Sequence, residues 1–178
     1  NIVLFGERLF HGDWAGAVKY LFPILAFALG VLVAQVMRHR IRDRRGMHWR
    51  QLVLMVEMLL LLAVGLMPET WNAPANAAVS FACALQVQAF RKVNGYAYAS
   101  TMCIGNLRSG MEALEAYLRT RDKPVLRAAL QYFAVILLFM VGAGLGSIIS
   151  PWLGIRAIWV CCVWLMISFG LMLIKPQE

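Results

Sequence analysis

The stretch AALQYFAVILLFMVGAGLGSII, residues 128–149, carries no charged side chain. An apolar run of about 20 residues crosses the hydrocarbon of a bilayer as an α-helix, at about 1.5 Å of rise per residue. Backbone groups in lipid must be satisfied internally, so a helix is the only reasonable form for such a run. Composition agrees with that reading. The 178 residues are 61% hydrophobic and 15% charged, whereas a soluble domain is about 45–50% apolar and about 25% charged. One small globule cannot bury that excess, and an integral membrane protein is expected.

Four further runs have the same character: 18–37, 51–67, 73–90 and 153–174. Pro23 falls near the start of the first, where a missing N–H matters least. Connections between the runs carry the charge. The net charge of +8 comes from arginines and lysines clustered in short loops. This suits orientation in a membrane and leaves no aromatic-plus-basic surface for nucleic acid. The loop 38–50, RHRIRDRRGMHWR, reads as cytoplasmic. So does 119–127, RTRDKPVLR, and so does Arg91-Lys92. PETWNAP (68–74) and SPWLG (150–154) read as outer turns. A bacterial inner-membrane, multi-pass protein is expected. No secretory signal with a charged start and a cleavage site is visible.

Residues 93–123 begin and end on the cytoplasmic side, so they dip in and return or lie along the interface. Within them LRSGMEALEAYLR (107–119) is patterned as an amphipathic helix, with Leu107, Met111, Leu114 and Leu118 on one stripe and Asn106 as its N-cap. STMCIGNLRSG (100–110) therefore reads as a break in the apolar text.

The two halves of the chain match in order. FALGVLVAQVM (27–37) answers FMVGAGLGSII (139–149), pairing Phe27 with Phe139, Gly30 with Gly142 and Ala34 with Gly146. Each half offers a small-xxx-small face suited to close helix approach. Asn1 and Gly6 answer Asn106 and Gly110. The charge pattern runs 18–37 outward-to-inward and 128–149 the other way. The expectation is an all-α, polytopic helical bundle of inverted 3+3 repeats, with the first helix lying ahead of this chain. Residues 1–67 form the first repeat and 73–178 the second, within one membrane domain.

AVSFACALQVQAFRKVNGYAYASTMCIGNLRSG (78–110) resembles the second-half signature of the YoaK-type family, bacterial inner-membrane proteins of unknown function. The opening NIVLFG resembles the tail of that family's first-half motif. The resemblance implies six spans and no particular activity. Ile104 departs from the threonine usual in the family before Gly105-Asn106.

Glu57 is the sharpest single residue. It lies about 10 Å of helix rise beyond Arg50, where a charge costs about 2.5–3.5 kcal/mol or more. The seven leucines of its run offset this at a few tenths of a kcal/mol each. It reads as a proton or ion relay, or as a protonated or hydrogen-bonded acid locking two helices. At the two breaks, Asn1, Gly105, Asn106 and Gly110 read as helix N-termini whose free N–H groups favour an anion or polar solute, or as caps that turn the chain. Gln35, Gln86 and Gln88 read as solute ligands or as interhelical hydrogen bonds. Arg91, Lys92 and Arg108 read as anion partners or as residues snorkelling to the head groups, with Arg108 the choice for an anion.

No catalytic set, P-loop or dinucleotide fingerprint is found. No metal site and no cofactor are expected from His11, His39, His48 or the four cysteines, which read as small core residues. Trp14, Tyr20, Trp49, Trp71, Trp152 and Trp159 read as interfacial anchors. The expected function is a small secondary transporter or channel for a small polar or anionic solute, its substrate-binding residues Asn1, Gly105, Asn106, Arg108, Glu57 and Gln86. The alternative is a non-transporting membrane scaffold or assembly protein joined through its glycine faces. Expected partners are the lipid bilayer, the solute and a second copy of the chain.

Overall fold

The structure, a computed structural model, describes residues 1–41, 49–93, 96–97 and 103–174. It is all-α. The helices are α1 (Ile2–Phe10), α2 (Trp14–Ile41), α3 (Trp49–Gly65), α4 (Asn72–Ala89), α5 (Cys103–Thr120), α6 (Lys123–Leu153) and α7 (Ile158–Ile174). Short 3₁₀ turns at Glu69–Trp71 and Gly154–Ala157 lead into α4 and α7. Between α4 and α5, Lys92–Val93 and Tyr96–Ala97 pair as a minimal antiparallel ladder.

Two stretches, Trp14–Arg40 and Lys123–Ile174, are long and apolar enough to cross a membrane. Only 17% and 11% of their most apolar windows are buried within the molecule. The core helix of a soluble protein would be mostly covered, so the apolar surface of these two stretches fits helices of a membrane protein.

The chain divides into two compact units. The first comprises Asn1–Ala89 and Leu153–Glu178, the second Phe90–Trp152. This cut differs from the expected repeats of 1–67 and 73–178. Helices α4 and α7, assigned by sequence to the second repeat, pack on α2 and α3 of the first. Helix–helix contact in lipid rests on matching small surfaces, which need not come from neighbouring sequence.

In the first unit, α2 starts earlier than its apolar run. Asp13 Oδ1 accepts the Gly16 backbone N–H at 2.9 Å and so caps the helix at Trp14. Gly12, with φ +75°, supplies the left-handed turn out of α1. A side chain at position 16 would collide with the Asp13 carboxylate, which explains the glycine there. Because the helix starts at Trp14, Pro23 sits in its interior rather than near its start. It removes one hydrogen bond of the ladder at a buried position.

Gly30 is where α2 meets α4. A Cβ there would stand 2.7 Å from Ala84 Cβ and 2.7 Å from the Phe81 carbonyl oxygen. Ala34, Ala82, Ala84 and Leu85 are fully buried around this contact. The small face 27–37 is therefore filled from within the chain and is not a free dimer surface. Helix α3 packs on α4 and on α7. The Trp159 indole lies over Gly65, leaving no room for a side chain, and its N–H reaches the Leu62 carbonyl at 3.4 Å.

In the second unit, α5 turns into α6 through Arg121, a left-handed residue with φ 57°. Its N–H donates to the Tyr117 carbonyl at 2.7 Å. Gly110 rests against Tyr132 and Phe133 of α6. The expected outer turn at 150–154 is displaced. Ser150, Pro151, Trp152 and Leu153 belong to α6, and the chain turns at Gly154, with φ 56°. The last apolar run thus contributes a helix from Ile158, not from Leu153.

Candidate functional site

Glu57 is the ninth residue of α3 and 4% exposed, and its Oε2 has no hydrogen-bond partner among the described residues. Val53, Leu54, Leu61 and Val64 are buried along the same helix. Cys83 of α4 and Cys161 and Cys162 of α7 lie close enough to feel its charge. The Cys162 thiol leans on the Met58 carbonyl, Sγ to O 4.0 Å. All four cysteines are free thiols. The acid is therefore placed by three helices at once, and none of them offers Oε2 a donor. A helix-locking hydrogen bond, one of the two readings of Glu57, is not made by this oxygen. Gln86 stands one turn beyond Cys83 on α4 and is half-buried.

The expected residues at the breaks fall out differently. Asn1 precedes α1 but makes no side-chain cap bond and is exposed. Asn106 is not an N-cap. Helix α5 begins at Cys103, so Ile104, Gly105 and Asn106 lie in its first turn and a little beyond. The segment 98–102 just ahead of it lies outside the described residues. Asn106 is 4% exposed, whereas a Cβ added at Gly105 would meet nothing within 4 Å among the described residues. Arg108 lies two residues on, on the opposite side of the helix, where its Nε donates to Glu112 Oε1 at 2.8 Å. The Glu112 carboxylate raises the proton affinity of that guanidinium. Asn106 and Arg108 thus do not share a face. The apolar stripe of Leu107, Met111 and Leu118 is exposed, and the buried face of α5 carries Asn106 and Gly110.

Sequence reasoning missed Gln131. Its Oε1 is buried and without a hydrogen-bond partner among the described residues. The signal was available: an amide inside an otherwise apolar run, the same signal that marks Gln86. Of the six expected anchors, Trp14, Trp71 and Trp152 are well exposed. Trp49 is buried and Trp159 packs on α3, so those two are packing residues. Among the described residues no three metal-ligating side chains come together. Lys92's side chain and His48 lie outside what is described.

The arrangement defines an all-helical protein with helices of membrane-crossing length and an acid enclosed among three of them. The chain belongs to the DUF1275 family, proteins of unknown function, whose family profile matches residues 1–171. This agrees with the resemblance drawn from residues 78–110. No curated protein and no solved structure matches the chain.

Proposed function

We propose that this protein is a multi-pass bacterial inner-membrane transporter that moves a small polar or anionic solute, with Glu57 as its exchanging acid. The observation that carries this reading is a carboxyl group enclosed by α3, α4 and α7 whose Oε2 has no hydrogen-bond partner among the described residues. Acids within membrane helices are costly and mark ion and proton pathways. A neutral, protonated Glu57 can share a span with a polar solute, and a charged one must find a partner. Gln86, one turn beyond Cys83 on α4, supplies a further polar group. The inverted-repeat reading gains support from a shared local pattern. Each half carries a helix, a left-handed residue, an aspartate and then a long apolar helix: α1, Gly12, Asp13, α2, and α5, Arg121, Asp122, α6.

The test is solute uptake by purified protein in proteoliposomes, with small organic anions and polar metabolites as probes. Uptake that saturates in the wild type and falls at least about tenfold in Glu57→Gln supports the reading; such a fall corresponds to about 1.4 kcal/mol of lost stabilisation. Equal uptake by both proteins removes Glu57 from the mechanism.

The alternative, a scaffold joined through glycine faces, retains one observation in its favour. A Cβ added at Gly142, Gly144 or Gly146 of α6 would meet nothing within 4 Å among the described residues. Cysteine crosslinking between copies at Leu145 would support it.

A further inference from the structure

We infer that the cation exchanged at Glu57 is a proton rather than Na⁺ or K⁺; this rests on the reading of Glu57 as the exchanging acid. An alkali ion in a membrane protein is held by several oxygens, commonly including carbonyls freed where a helix unwinds. Among the described residues, no helix beside Glu57 is unwound to free such carbonyls. The acid sits mid-helix in α3, and α4 at Cys83 and α7 at Cys161 and Cys162 are also continuous helix. Backbone carbonyls there are committed to their own ladders. The titratable side chains of α4 and α7 that interact electrostatically with the acid are the thiols of Cys83, Cys161 and Cys162, which are soft donors and poor ligands for hard cations. The buried residues of α3 nearest the acid, Val53, Leu54, Leu61 and Val64, are aliphatic.

Arg50 lies two turns back along α3. The buried face of α2 presents Ala17, Pro23, Gly30 and Ala34, none of which titrates. Arg156, in the turn that packs on the end of α3, is exposed. A proton needs one oxygen with a free lone pair, and Glu57 Oε2 is that oxygen.

A hydrophobic carbodiimide tests this, because it reacts with a carboxylic acid only in the protonated form and partitions into lipid. Wild-type protein in phosphatidylcholine vesicles is treated with dicyclohexylcarbodiimide, and the adduct on Glu57 is located and timed by mass spectrometry. The buffers contain choline, Na⁺ or K⁺ at equal ionic strength. The expected result is an adduct whose rate is the same in all three salts. That rate falls about tenfold per pH unit once the acid ionises. Slower labelling in Na⁺ or K⁺ at fixed pH overturns the inference and leaves the transport reading intact. No adduct at any pH overturns it as well, since the acid then exchanges nothing. Uptake in the same vesicles, before and after the adduct forms, tests the transport reading separately and does not depend on Glu57→Gln folding. Unchanged uptake by fully modified protein would sink that reading.

Discussion

Glu57 lacks a partner for one oxygen, among the described residues, in a place where most polar groups have one. An acid kept for function and not for stability has a recognisable mutational signature. Glu57→Leu removes a buried polar group without leaving another one unpaired. It should raise the melting temperature in detergent, by the equivalent of about 1–3 kcal/mol. A fall would mean that the acid holds helices together. Asp13 offers the opposite case. The Gly16 backbone N–H, and after it the Arg8 guanidinium at 2.9 Å, hold its carboxyl below the usual carboxylate range. A depressed value means that the native state prefers the ionised form. Its contribution is thus complete above the unfolded-state value and is lost as pH falls through the folded one. Thermal unfolding of wild type and Asp13→Asn should differ near neutrality and converge in acid. A gap that persists in acid would show that the charge is not what caps α2. The burial of Glu57 in an apolar run was readable from the chain because depth follows from helix rise. The lack of a donor was not, since that depends on which residues of α4 and α7 come near.

At the scale of elements, glycine positions with the same sequence setting separate into two kinds. Gly30 meets the backbone of α4, whereas Gly142 meets nothing among the described residues. Gly30→Ala should therefore destabilise the protein by about 1–3 kcal/mol, because the Phe81 carbonyl cannot move aside as a flexible side chain could. Gly142→Ala should stay within about 0.5 kcal/mol of wild type. Paired thermal scans decide this, and equal losses at both sites would mean that the α6 face is also packed. Their shared Phe-x-x-Gly-x-x-x-small text could not distinguish them. Helix starts behaved similarly. An aspartate after a left-handed glycine is a recognisable N-cap signal, yet the apolar run of α2 starts several residues later and drew the boundary with it. For α5, Asn106 offered a cap by residue type, but the helix had already begun at Cys103.

For the whole molecule, orientation is the quantity on which the transport reading depends. Single cysteines at Arg40 and Thr120, introduced into a cysteine-free background, should react with a membrane-impermeant maleimide from the cytoplasmic side only. One at Thr70 should react from the outside. Arg40 and Thr120 on different faces would remove the inverted repeat. The compact units add a point that the repeats alone did not suggest. Helices read as belonging to the second half, α4 and α7, are packed into the first unit.

The amino-acid sequence by itself determined that the chain is helical, where its apolar runs lie and that those runs suit lipid. A long uncharged segment has one way to satisfy its backbone without water, whatever it packs against. Tertiary structure alone decided which small face is filled, which side of α5 holds Asn106 and that Glu57 Oε2 has no donor among the described residues. Each of these depends on a second helix. In a chain whose apolar text is much alike from run to run, close packing chooses the partner by the shape of a few small residues.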